Sequence, residues 1–80
     1  MKTVTLYTRP GCHLCDDARA ALLRLQQRTT FALEEIDIEG DDALHRAYLE
    51  RIPVIHVDGA HVSDYFLDEA ALTARLNIDG

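Results

Sequence analysis

The spacing of hydrophobic and polar residues changes several times along the chain. Thr3 to Thr8 alternates, with Val4 and Leu6 on one side and Thr3, Thr5 and Tyr7 on the other. Alternation in β-branched and aromatic residues predicts a strand, and Arg9-Pro10-Gly11 breaks it. From Cys12 the spacing becomes three and four. Leu14, Ala18, Ala21, Leu22 and Leu25 then share a face, opposite Arg19, Arg24, Gln26 and Gln27. This predicts an amphipathic helix. Asp16 and Asp17 near its start and Arg28 near its end suit the helix dipole, and it should fade before Thr29-Thr30.

Phe31 to Ile38 predicts a second strand, turning at Gly40-Asp41-Asp42. Ala43, Leu44, Ala47 and Tyr48 form the apolar stripe of a short second helix, with Asp41 or Asp42 as N-cap. Arg51-Ile52-Pro53 ends it, because a residue before proline avoids the helical region. Val54 to Val57 predicts a third strand, Asp58-Gly59 a hairpin turn, and His61-Val62 a short return strand. Asp68 caps a last helix whose apolar residues are Leu67, Ala70, Ala71, Ala74 and Leu76, with Asn77 and Gly80 ending it. The order is β-α-β-α-β-β-α, an α/β class whose first βαβ crossover should be right-handed. No repeat, linker or low-complexity segment interrupts it, so residues 1–80 are expected to form a single domain.

The net charge is −6, and the eight Lys and Arg are scattered rather than gathered into a stripe. That argues against nucleic acid, whose phosphates must be neutralised, and against anionic membranes. No apolar run approaches the roughly 20 residues needed to span a bilayer, and Met1-Lys2 leads straight into a strand rather than a signal core. A cytoplasmic location is therefore expected. In that compartment two cysteines are rarely a structural staple. A core this small also leaves little room for an enclosed cavity, so any site should be a shallow groove.

Cys12 and Cys15 form a C-x-x-C pair at the junction of the first strand and the first helix. Unpaired N–H groups and the positive end of the dipole meet there, and a thiolate at that position is stabilised. Arg9 could add a second positive charge. Cys15, one turn on and less exposed, would lie beside Cys12. Cys12 can then attack a disulfide, and Cys15 can resolve the mixed disulfide. Other readings remain open: a structural disulfide, two inert core cysteines, or a metal site completed by histidine. His13, His56 and His61 are available for such a site, but there is no second C-x-x-C. His13 should face solvent beside the pair, where its charge would tune the thiolate. His56 reads as a partly buried strand residue, and His45 and His61 as surface residues. Glu34, Glu35, Asp37, Glu39, Asp41 and Asp42 read as solvated charges without calcium-loop spacing. Pro53, on propensity alone, is a trans proline, since cis is about 5–6% of X–Pro bonds in folded proteins.

Leu6-Tyr7-Thr8-Arg9-Pro10-Gly11-Cys12-His13-Leu14-Cys15 resembles the active-site segment of glutaredoxins, and so does Ile52-Pro53-Val54 further on. The chain is most similar to small bacterial glutaredoxin-like proteins with an Arg-Ile-Pro-Val segment and a following Asp-Gly turn. The resemblance implies a thioredoxin-like fold with a central four-stranded mixed sheet flanked by helices. It implies Cys12 as nucleophile, Cys15 as resolving thiol and Pro53 as a cis proline facing them. Arg9 matches a basic residue near a glutathione carboxylate, and Arg51, Ile52 and Pro53 match a segment whose backbone pairs with glutathione. No bound cofactor is implied; glutathione would be a co-substrate. The chain departs from the family in two places. His13-Leu14 replaces the usual Pro-Tyr. Ser63-Asp64-Tyr65-Phe66-Leu67 stands where a Gly pair and a polar cluster are usual. Bulky Tyr65 and Phe66 and the extra charge of Asp64 do not suit close approach of a ligand to the backbone, which leaves glutathione dependence open.

The favoured reading is a monomeric thiol–disulfide oxidoreductase acting on protein or small-molecule disulfides. A metal or iron–sulfur carrier and a non-catalytic binding module are the alternatives.

Overall fold

The computed structural model describes residues 1–77; Gly80, expected to help end the last helix, lies outside the described residues. The elements are β1 (Thr3–Thr8), α1 (His13–Gln26), β2 (Ala32–Asp37), α2 (Asp42–Tyr48), β3 (Val54–Val57), β4 (Ala60–Ser63) and α3 (Glu69–Asn77). One 3-10 turn, Ile38–Gly40, links β2 to α2.

The sheet is four-stranded, in the order β2-β1-β3-β4. β1 runs parallel to β2 and antiparallel to β3, and β3 is antiparallel to β4. It is therefore a mixed sheet. The alternation expected in β1 is present, with Val4, Leu6 and Thr8 buried and Thr3, Thr5 and Tyr7 half-buried. β2 is an edge strand, and its Glu34, Glu35 and Asp37 are exposed, which discourages pairing with another chain. The β3–β4 turn has positive φ at both Asp58 (50°) and Gly59 (84°), the primed geometry that matches strand twist.

The core joins Val4, Leu6, Ile55 and Val57 of the sheet to Ala18, Leu22 and Leu25 of α1 and Leu72 of α3. Both helices thus cover one face. On the other face α2 brings Tyr48 against Tyr7, with ring centroids 4.9 Å apart. Among the described residues, no helix is long and apolar enough to cross a membrane.

Three apolar stripes differ from expectation. In α1 the inward face runs Cys15, Ala18, Ala21, Leu22, Leu25, as expected from Ala18 onward, but Leu14 is turned out and 55% exposed. In α2 no residue is fully buried, and Ala43 and Ala47 are exposed. This seven-residue helix covers only the part of the sheet around Tyr7 and His56, and it does so with Tyr48. In α3 the buried residue is Leu72, while Ala70 and Ala74 are exposed. The larger side chains of Leu72 and Leu76, one turn apart, reach the core where alanine cannot. Asp41 caps α2 through Oδ1, which accepts from the N–H groups of Ala43 (2.8 Å) and Leu44 (3.2 Å). Asp68 caps α3, accepting from the Ala71 N–H at 3.0 Å.

Candidate active site

The turn after β1 places Cys12. The Cys12 N–H donates to the Arg9 carbonyl at 3.4 Å, and Gly11 has φ 81°. Proline followed by a residue with positive φ is the sequence of a type II turn, and glycine adopts that φ without strain. The turn delivers Cys12 to the N-cap of α1 with extended backbone, φ −89° and ψ 109°. Its sulfur does what a capping oxygen usually does: the Cys15 N–H donates to Cys12 Sγ at 3.2 Å.

The two cysteines are both free thiols, but their settings differ. Cys12 is half-buried and Cys15 fully buried. Burial, followed by the hydrogen bond and charge of Cys12, pushes the Cys15 thiol up to about 11. The Thr8 hydroxyl and the Arg9 backbone act in the opposite direction. The sequence alone assigns Thr8 no role beyond its place in the strand. Its hydroxyl is buried with no hydrogen-bond partner, so it is poised to donate if Cys15 loses its proton. The signal was the alternation itself, which puts Thr8 on the buried face with Val4 and Leu6.

The other residues matched by resemblance fall into separate places. Arg9 is exposed, and its Nε lies 3.5 Å from Glu39 Oε2. It lines a groove of about 300 Å3 with Thr8, Asp16, Arg19, Glu35 and Asp37. Arg19 of that groove is itself paired with Glu35 and Asp16. Several acids read as solvated charges thus have structural partners.

Arg51 lies in a different groove with His45, Glu50 and Tyr65. Its Nε and Nη2 donate to Asp64 Oδ2 at 3.0 and 2.9 Å, and its guanidinium sits 5.4 Å from the centre of the Tyr48 ring. The Ile52 N–H donates to the Tyr48 carbonyl at 3.0 Å. Pro53 is fully buried, and the Ile52–Pro53 peptide is cis. Because Tyr7 pairs with Val54, the antiparallel register puts Pro53 beside the Thr8 end of β1. The Cys12 turn leaves from that same end.

Asp64, read from sequence as an extra negative charge, is neutralised here. Its Oδ1 lies 2.8 Å from His61 Nε2, and its Oδ2 takes the two Arg51 bonds. Burial acts to raise its pKa, but His61 and Arg51 outweigh that and hold the carboxyl below its ordinary value. Tyr65 follows with φ 69°. Its N–H donates to the Arg51 carbonyl at 2.9 Å, and the Phe66 N–H donates to the Asp64 carbonyl at 2.8 Å. Among the described residues no group of three or more His, Cys, Asp or Glu could hold a metal ion. His56 meets His61 edge-to-face, with centroids 5.7 Å apart, and meets Tyr7 in the same way at 5.1 Å.

A family model described as Glutaredoxin-like domain (DUF836) matches residues 3–77. An uncharacterized protein of Mycobacterium tuberculosis is 32% identical over 78 residues, covering 91% of this chain and 80% of that protein. The solution structure of a Nitrosomonas europaea protein is 37% identical, with a TM-score of 0.85, covering 95% of this chain and 92% of that one. The solution structure of glutaredoxin from Brucella melitensis is 27% identical, with a TM-score of 0.65, covering 98% of this chain and 91% of that one. The fold is thioredoxin-like.

Proposed function

The chain belongs to the glutaredoxin-like family, and from that premise we propose that it is a thiol–disulfide oxidoreductase acting through Cys12 and Cys15. Family membership supports a redox-type function in general. The observation that carries the finer reading is the unequal cysteine pair: Cys12 Sγ at the helix start takes the Cys15 N–H at 3.2 Å, while the Cys15 thiol is fully buried. Cys12, as thiolate, attacks one sulfur of a substrate disulfide, and the other sulfur leaves as a thiolate and takes a proton. Cys15 then gives up its proton and attacks Cys12 Sγ, releasing the second substrate thiol and leaving a Cys12–Cys15 disulfide. A thiol reductant, with glutathione as the candidate co-substrate, returns the pair to the dithiol.

Ile52 and Pro53 would present backbone to the substrate near the pair, and Arg9 would meet a substrate carboxylate. Arg51 would act by holding this segment in place, since its guanidinium is bound to Asp64, its N–H to the Tyr48 carbonyl and its carbonyl to the Tyr65 N–H. The protein would work as a monomer in the cytoplasm, without nucleic acid or membrane. The test is a trap. Cys15→Ser should hold a substrate on Cys12 as a stable mixed disulfide, visible as a mass increase that dithiothreitol removes. If wild-type protein forms no internal disulfide in any glutathione redox buffer, the reading fails.

A further inference from the structure

An apolar groove of about 230 Å3 runs between α1 and the segment that follows β4. Leu14, Ala18 and Ala21 form one wall, and Tyr65, Phe66 and Leu67 the other. Leu14 stands between the two cysteines in sequence. Tyr65 is 55% exposed and Phe66 62%, an unusual use of aromatic side chains in a chain with so small a core.

The backbone at Tyr65 is unusual, with φ 69°. A bulky residue at positive φ is uncommon and persists only where its surroundings hold it. Tyr65 is held on both sides, by its own N–H to Arg51 and by the Phe66 N–H to Asp64. Arg51 and Asp64 are in turn joined to each other. These bonds fix the backbone from which both rings project.

The charge of the groove selects among occupants. Asp17 is its one charged lining residue, and no ion pair engages it among the described residues. The chain as a whole carries −6. The volume lies below the about 300–1,000 Å3 usual for sites that enclose a drug-sized molecule, and it suits a single large side chain. Glutathione carries two carboxylates against one ammonium and has no apolar side chain, so it is net negative and gives the apolar walls nothing to hold.

We propose that this groove receives the half-cystine segment of a partner protein, an extended stretch with a bulky apolar residue beside the reacting cysteine and a lysine or arginine next to it. The inference rests on the oxidoreductase reading and names its substrate class. The apolar side chain lies between Leu14 and Phe66, and the cation meets Asp17. The chemistry is unchanged: Cys12 bonds to the partner cysteine's sulfur, and the partner's other sulfur leaves with the electron pair.

The test uses fully reduced protein in single-turnover reactions, so no added reductant is needed. Two peptides are each joined through cysteine to thionitrobenzoate, whose release is followed by absorbance. One has Leu beside the cysteine and Lys next to it; the other has Ser and Glu at those places. In wild-type protein the Leu-Lys peptide should react about tenfold faster or more, a ratio in keeping with partial burial of one leucine. Phe66→Ser and Asp17→Asn should each lower the ratio severalfold, and the two together should bring it close to one. Both residues are exposed, and circular dichroism checks that the fold is retained. Equal rates in wild type, or a ratio untouched by Phe66→Ser, overturn the inference and leave the oxidoreductase reading standing. Failure to release thionitrobenzoate from either peptide overturns both.

Discussion

Arg51 and Asp64 are joined by two hydrogen bonds to one carboxylate oxygen, at 3.0 and 2.9 Å. The bond ties the segment before Pro53 to Asp64, thirteen residues after Arg51, in the turn that carries Tyr65. The Tyr65 N–H to the Arg51 carbonyl makes a second tie between the same segments. Asp64 also reaches His61 on β4, so one carboxylate links three parts of the chain.

Removing that charge should loosen the connection. Asp64→Asn is expected to cost about 1 kcal/mol, the upper part of the range for partly exposed ion pairs, read as a lower urea midpoint at neutral pH. The pH dependence gives the sign. The folded-state pKa of Asp64 is lowered, so its contribution is full above the unfolded value of about 3.9 and is lost as pH falls through the folded one. Wild type and Asp64→Asn should therefore converge in stability in acid. A gap that stays constant down to that range would contradict the assignment.

His56 should behave in a related way at milder pH. Burial first, then the neighbouring charges of His61 and Arg51, lower its pKa, while Asp64 opposes them. The folded protein favours the neutral ring. Its contribution to stability is therefore full above the unfolded value of about 6.5 and declines as pH drops below that. NMR titration should place the His56 midpoint below that of an unfolded histidine. His56→Phe, which cannot titrate, should flatten the part of the stability profile just below pH 6.5.

The elements were legible because the hydrophobic period changes cleanly. Thr3–Thr8 alternates, the residues after Cys12 recur at three and four, and Asp58-Gly59 marks its own turn. The seat of Cys12 was legible for the same local reason, since Pro10-Gly11 fixes a turn immediately before the helix. What periodicity does not carry is which residue of a helix reaches inward, or which distant groups pair. Alanines at the right spacing in α2 and α3 read as a buried stripe, yet only larger side chains cross the gap to the sheet. Asp64 read as a stray charge because its partners Arg51 and His61 arrive by folding of the chain. Thr8 was hidden in plain alternation because a threonine in a strand has many ordinary uses.

The contrast between Leu72 and Leu14 tests the packing. Leu72 is fully buried in the cluster that joins α3 to the sheet. Leu72→Ala should cost about 2–5 kcal/mol, as core leucine truncations do, a severe loss for a domain of this size. Leu14→Ala, at an exposed position, should shift the urea midpoint by no more than about 0.5 kcal/mol in equivalent stability. Similar losses for the two would mean that the inward face of α1 or α3 is misassigned.

Thr8 and Cys15 supply a test inside the redox pair. The Cys15 thiol sits at about 11, raised by burial and then by Cys12, and the Thr8 hydroxyl acts to lower it. Reduced wild-type protein at pH 8 should therefore take one equivalent of iodoacetamide, at Cys12. In Cys12→Ser the Cys15 thiol loses one raising influence but keeps its burial, so its alkylation should accelerate only at pH well above the ordinary thiol value of about 8.5. Thr8→Val keeps the volume and removes the hydroxyl. In a Cys12→Ser background it should push the Cys15 alkylation profile to still higher pH. In the native pair it should slow release of a trapped mixed disulfide while leaving its formation on Cys12 unchanged. Its effect on stability should be neutral or favourable, because a buried hydroxyl without a partner is being replaced by an apolar group. A Thr8→Val protein that resolves mixed disulfides at the wild-type rate would show that the hydroxyl has no part in deprotonating Cys15.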